Sequence, residues 1–198
     1  MVSRPPGRRS PRAPTPRVTL GIDEAGRGPA VGPMVIAAVA LDTQAAAALS
    51  RAGLSDSKSY GAGDDAHALR CELEQEIRAR ARFVMTIEVE HTEIDARVIR
   101  NELNVLEREL ATRLIERASD ELSQIDRIIA DGKRMFQLLG QRFERFESHD
   151  RAEEKHAAVA AASVVAKVIR DHRFAQIRSR YEHELGPITG GGYANAGT

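Results

Sequence analysis

The residues Gly21-Ile22-Asp23-Glu24-Ala25-Gly26-Arg27-Gly28-Pro29 put two adjacent carboxylates at the end of an apolar run, Val18 to Ile22, and follow them with a turn of two glycines around an arginine. Carboxylate oxygens are ligands for hard cations. Glycines let a backbone approach a ligand closely, and a guanidinium forks onto phosphate oxygens. A metal-ligating pair beside a phosphate-friendly loop points to phosphodiester chemistry. Two further acids occupy suggestive places. Asp131 ends another apolar run just before Gly132, and open α/β sheets place their sites at the carboxyl ends of strands. Asp171 stands among Lys167, Arg170, Arg173, Arg178 and Arg180, and Ser163, Lys167 and Asp171 fall at i, i+4, i+8 along one helical stripe.

If these acids converge, they require neutralisation, because two unit charges about 4 Å apart repel by about 4 kcal/mol at an effective dielectric near 20. An all-oxygen set favours magnesium or manganese over zinc. Two such ions about 3.5–4 Å apart activate a water and stabilise the leaving oxygen of a phosphodiester. Other chemistries fit poorly. No Gly-x-x-x-x-Gly-Lys-Ser/Thr occurs, and Gly26, Gly28 and Gly32 miss the dinucleotide-binding spacing by one residue. The histidines His67, His91, His149, His156, His172 and His183 show no paired metal spacing, and no EF-hand-like run of acids is present.

The elements that must position these residues read as an α/β layer with a mixed sheet. Strands are predicted over 18–24, 33–41, 83–89, 125–130 and 142–146. Helices are predicted over 43–52, 64–80, 93–121, 133–140 and 152–181, with loop after 186. Residues 1–17 form an Arg/Pro-rich tail, expected to be disordered, and 18–198 a single domain. The tail carries Arg4, Arg8, Arg9, Arg12 and Arg17 and no acid, so the remaining residues, 24 basic against 29 acidic, sum to −5. Such a body does not bind polyanions through bulk charge; affinity must come from local basic stripes or from cations on the acids. The single cysteine, Cys71, excludes a disulfide framework and a multi-cysteine zinc site, and with no signal peptide or apolar span it points to the cytoplasm and to no membrane partner.

Four blocks, in order, resemble the ribonuclease HII family, the type 2 ribonucleases H. They are Gly21 to Pro29, then Asp56-Ser57-Lys58, then Asp131-Gly132-Lys133, then Ala160-Ala161-Ala162-Ser163-Val164-Val165-Ala166-Lys167-Val168-Ile169-Arg170-Asp171. A fifth, Gly190-Gly191-Gly192-Tyr193 through Thr198, is similar to the family's glycine–tyrosine segment. The resemblance implies a ribonuclease H-like fold with a five-stranded mixed sheet flanked by helices. It implies an endonuclease that cleaves the RNA strand of RNA–DNA hybrids and incises 5′ of single ribonucleotides in duplex DNA, leaving 3′-hydroxyl and 5′-phosphate ends. The implied catalytic and metal-binding acids are Asp23, Glu24, Asp131 and Asp171, holding two Mg2+ or Mn2+ ions. Gly26, Arg27 and Gly28 would meet the ribose 2′-hydroxyl and Tyr193 the neighbouring deoxyribose, with Lys58, Ser163 and Lys167 contacting phosphate or supporting the site.

Two departures from the family pattern stand out. The chain stops at Thr198, short of a usual C-terminal helical stretch, and no segment for docking a clamp protein is identified. The segment Ala152 to Val159 differs from the family's aspartate- and proline-containing form, a change expected to matter little. A monomer is expected, acting on an RNA–DNA hybrid or ribonucleotide-containing duplex. The alternatives are a non-catalytic hybrid-binding module, disabled by the missing segment, and another ribonuclease H-like nuclease.

Overall fold

In the computed structural model, residues 16–55, 60–61, 63–188 and 190–193 are described. The strands are β1 (Val18–Ala25), β2 (Met34–Asp42), β3 (Phe83–Val89), β4 (Arg127–Asp131) and β5 (Phe146–His149). The helices are α1 (Thr43–Arg51), α2 (Asp64–Arg80), α3 (His91–Ile99), α4 (Leu103–Glu121), α5 (Lys133–Phe136) and α6 (Ala157–Leu185). The strands form one mixed sheet in the order β3-β2-β1-β4-β5, with β1, β2 and β3 antiparallel and β4 and β5 parallel to β1.

Every residue of β2 is buried, as its uninterrupted apolar run requires of a strand covered on both faces. Strand alternation sorts its side chains. Met34, Ile36, Ala38 and Ala40 pack with Leu106, Leu110, Leu114 and Ile115 of α4, whereas Val35, Ala37, Val39 and Leu41 pack with α1, α2 and α6. Asp42 ends β2 and caps α1, accepting from the backbone amides of Gln44 (2.9 Å) and Ala45 (2.8 Å).

The contact of α6 with β1 is closer than side chains normally allow. A Cβ placed on Gly21 would lie 2.1 Å from the carbonyl carbon of Ala158. The opposing stretch of α6, Ala158 to Ala162, is buried throughout and holds nothing larger than Val159. Small residues on both sides therefore set this spacing.

Several boundaries differ from the sequence expectation: the helix expected over 133–140 is α5 followed by a 3-10 turn, Gln137–Gln141, the strand expected over 125–130 is Arg127–Asp131, and α6 runs on to Leu185. The helix predicted over 93–121 is two helices, broken where Asn101 takes a left-handed φ of 56°. The fifth strand lies at Phe146–His149 rather than 142–146, because pairing with β4 selects it: Ile128 stands opposite Phe146 and Asp131 opposite His149. Before α6 comes a separate 3-10 turn, Ala152–Glu154, at the place where the sequence predicts the start of the long helix.

Gly21→Ala should shift α6 and cost about 1–3 kcal/mol, read from urea unfolding midpoints. A change under about 0.5 kcal/mol, the range of ordinary surface substitutions, would show that the α6–β1 spacing is not set at Gly21.

Candidate active site

Alternation along β1 sends its two terminal acids to opposite faces. Leu20, Ile22 and then Glu24 face α4; Gly21 and then Asp23 face α6. The β1–β4 register, which pairs Ile22 with Ala130, brings Asp131 alongside Asp23. On β4 the alternation is matched: Ile128 and Ala130 face α4, while Ile129 packs with Ala152 and Val159. Asp131 follows Ile129 to that side, and its Oδ1 accepts from the Ala152 amide at 2.8 Å.

The acids are held with little compensating positive charge. Asp23 is 6 % exposed, and its pKa is raised from 3.8 to about 7, chiefly by burial and then by Asp131 and Glu153, against a hydrogen bond from Ser163 and one from the Glu24 amide. Burial also raises Glu24 well above its ordinary value, helped by Asp23, Glu107 and Asp131 and opposed by Arg27. Glu24 Oε2 is buried and has no hydrogen-bond partner. An orphaned carboxylate oxygen beside other buried carboxylates fits a divalent cation, which would stabilise the charged form of all of them.

The glycine turn is tied down from two directions. Gly26 has a φ of 92°, and a Cβ there would lie 2.4 Å from the Pro33 carbonyl oxygen, so this turn admits only glycine. Beyond it, the amides of Ala30 (2.8 Å) and Val31 (3.1 Å) both donate to the Gly192 carbonyl. These bonds join the β1–β2 loop to the segment carrying Tyr193, whose Cε1 lies 3.5 Å from a Cβ built on Gly28. Arg170, 1 % exposed, completes the tie: its Nη2 donates to the Val31 carbonyl at 3.0 Å and its guanidinium lies 5.2 Å from the Phe174 ring centre. Arg27 reaches toward α4, where its Nη2 donates to Asn104 and its Nε lies 2.8 Å from Glu107 Oε1. That contact pairs the guanidinium with a carboxylate inside the protein. Glu107 is fully buried, and burial holds its pKa at about 7 against the pull of Arg27.

Asp23, Glu24, Gly26, Arg27, Gly28, Asp131, Ser163, Lys167, Asp171 and Tyr193 all line one cleft of about 1080 Å³. Lys58, with Asp56 and Ser57, lies outside the described residues. Within the cleft Asp171 is the acid most closely matched by positive charge. It is engaged by Lys167, and Arg170 Nη1 (3.6 Å), Arg70 Nη2 (3.9 Å) and His67 Nδ1 (3.9 Å) surround it. The charges that act most on Asp23 are Asp131 and Glu153.

Sequence reasoning misses Glu153 and Glu107. Glu153 is 4 % exposed and sits in the segment whose departure from the family pattern is expected to matter little. Glu107 carries a usable signal, since it stands four residues after Leu103 and four before Ala111, an acid on the buried stripe of α4. Arg70 and Arg178 also line the cleft and add to its cationic walls.

The ribonuclease HII family model matches residues 20–197. Ribonuclease HII of Methanothermobacter thermautotrophicus is 34% identical over 177 residues, covering 88% of this chain and 82% of the relative. That of Pyrobaculum islandicum is 40% identical over 173 residues, covering 87% and 82%. Among solved structures, the PCNA:RNase HII complex from Archaeoglobus fulgidus aligns with a TM-score of 0.73 at 28% identity, covering 90% of this chain and 82% of that one. Bst-RNase HIII in complex with Mn2+ aligns with a TM-score of 0.64 at 20% identity over 86% and 56% of the two chains, a likeness of fold. A match spanning the sheet, the strand-end acids and the glycine–tyrosine contact leaves one assignment: the chain belongs to the ribonuclease HII family of metal-dependent endoribonucleases.

Proposed function

We propose that the protein cleaves the RNA strand of RNA–DNA hybrids and incises 5′ of single ribonucleotides in duplex DNA, with Asp23, Glu24 and Asp131 holding two Mg2+ or Mn2+ ions. The observation that carries this reading is the convergence of these acids at the ends of two parallel neighbouring strands, with Glu24 Oε2 buried and unpartnered. For the fourth acid the family resemblance implies Asp171, whereas the geometry favours Glu153, buried and close enough to act on Asp23. Asp171 is already matched by cations. Divalent ions held by these acids would supply Lewis acidity toward the attacking water and the leaving 3′ oxygen.

The protein's own groups orient the substrate. Ser163 fixes the Asp23 carboxylate, and Ala152 fixes that of Asp131. Gly28 bears no side chain, and only Tyr193 stands near the place one would occupy, so backbone here would be open to a ribose, whose 2′-hydroxyl is what separates RNA from DNA. Tyr193, half exposed beside Gly28, offers a ring face to the adjoining deoxyribose. Lys167, Arg70 and Arg178 provide local positive charge for phosphates. Such an enzyme would serve removal of ribonucleotides during DNA replication and repair in the cytoplasm, acting as a monomer.

A duplex carrying one ribonucleotide, incubated with magnesium, should be cut on its 5′ side to give a 3′-hydroxyl, while an all-DNA duplex stays intact. Equal cutting of all-DNA junctions would favour another ribonuclease H-like nuclease, and hybrid binding with no product a non-catalytic module. Asp131→Asn should abolish cleavage with magnesium; full turnover would exclude Asp131 as a ligand. Glu153→Gln should lower kcat/KM by at least about tenfold, and by more than Asp171→Asn; the reverse order would return the fourth place to Asp171.

The raised acids also predict a pH-dependent stability. Between about pH 4 and pH 7 the folded protein holds protons on Asp23 and Glu107 that the unfolded chain has released, so stability falls as pH rises through this window. His156, held below its ordinary value chiefly by burial, opposes the trend with one smaller shift. In chelator, Tm should therefore be lower near pH 8 than near pH 5, and magnesium should raise it more at the higher pH. A Tm in chelator that is flat or rising across this range would contradict the electrostatic reading.

A further inference from the structure

We propose that His67, Cys71 and His172 form a second metal site, of a different chemical kind from the acid cluster, that binds zinc and clips α2 to α6 at the edge of the cleft. One ligand atom from each of the three side chains lies within 4.8 Å of the other two, the only such trio of His, Cys, Asp or Glu found among the described residues. His67 and Cys71 stand one turn apart on α2, with Cys71 Sγ 3.6 Å from His67 Nε2. His172 comes from α6, its ring edge-on to that of His67 with centroids 5.5 Å apart.

The spacing suits a tetrahedral ion. Zn–S bonds of about 2.3 Å and Zn–N bonds of about 2.0–2.1 Å place the sulfur and nitrogen ligands of such an ion about 3.5 Å apart, so His67 and Cys71 already stand at ligand spacing. The orientation of His67 is also prepared. His67 directs Nε2 at the sulfur and Nδ1 toward Asp171 Oδ2, 3.9 Å away. Metal-bound histidines commonly present their second nitrogen to a carboxylate in this way. Asp171 then acts as an outer partner of the clip, consistent with the cations already gathered around it.

The donor set decides which ion binds. One thiolate and two imidazoles select zinc over magnesium, whereas the all-oxygen acids near Asp23 prefer the hard ion. The two sites can therefore be filled independently. His67 and Cys71 are half-buried and His172 is exposed, so an ion has an open path and the fourth position falls to water. The histidines' own sequence spacing conceals the site, because one helical turn joins a histidine to a cysteine and the third ligand comes from a different helix. An ion in the clip would hold α2 against α6, and α2 is the helix that carries Arg70 into the cleft.

The test is a cobalt titration of the full chain, kept reduced with a phosphine and saturated with magnesium. One equivalent of Co2+ should give a near-ultraviolet thiolate-to-cobalt charge-transfer band that zinc displaces. Asp131→Asn should retain the band, which separates this site from the catalytic acids. Cys71→Ser should abolish it, and His172→Ala should weaken zinc binding by at least about tenfold. Zinc should raise Tm in the wild type but not in these two variants. If Cys71→Ser proves unfolded by circular dichroism, the exposed His172→Ala substitution carries the comparison. No band in the wild type, a band that persists in folded Cys71→Ser, or unchanged zinc affinity in His172→Ala would overturn the proposal. Failure of this test with ribonucleotide-directed cutting intact would leave the catalytic reading untouched.

Discussion

A helix can lie against a strand only as closely as the intervening side chains allow, and at Gly21 the strand contributes none. The backbone of Ala158 occupies the space a Cβ would need, and the alanines that follow keep α6 at this depth. The acidic end of the cleft depends on that depth. Five residues beyond Ala158, Ser163 meets Asp23; further along, Arg170 reaches the Val31 carbonyl and secures the loop after β1. Replacing small residues by larger ones would retain apolar burial, worth about 1.5–3 kcal/mol per large side chain, yet would move the hydroxyl and the guanidinium away from their partners.

The same packing creates an electrostatic conflict. Asp23, Glu24, Glu107 and Glu153 are all drawn into the interior or its margin, and Arg27 is the cation that most opposes the shifts of Glu24 and Glu107. A fold that served only as a scaffold could relieve this conflict with apolar residues of similar size. Its persistence at the end of two parallel strands makes sense if divalent ions complete the site. Strand alternation splits the acids between two faces, with Asp23 and Asp131 toward α6 while Glu24 turns toward Glu107 on α4. The glycine turn then begins where the carboxylates end, so the buried acids and the glycine backbone are neighbours in sequence as well as in space.

Much of this is legible in the sequence because it is local. The β1 acids, the turn glycines and Asp131 each announce themselves within a few residues, and the apolar run of β2 identifies a strand covered on both faces. Features that depend on distant pairing are hidden. Phe146-Glu147-Ser148-His149 is a polar edge strand selected by β4, whereas Phe143 and Phe146 draw the expectation upstream. Asn101 breaks a helix whose charge pattern runs on unchanged. Glu153 reaches Asp23 from a turn held in place by the Ala152–Asp131 hydrogen bond, a contact across 21 residues that charge pattern does not reveal. The helical stripe that joins Asp171 to Ser163 and Lys167 places it in the cleft; Lys167 and Arg170 are its neighbours in sequence, whereas Arg70, which comes from α2, is not visible in that spacing.

The claim on which the rest turns is that the strand-end acids are the divalent-metal site. Anomalous diffraction from crystals soaked in manganese tests it most directly. Manganese is predicted among the carboxylates of Asp23, Glu24 and Asp131, within reach of Glu153, with none on Asp171. Manganese seated on Asp171 while Asp23, Glu24 and Asp131 remain empty would contradict it.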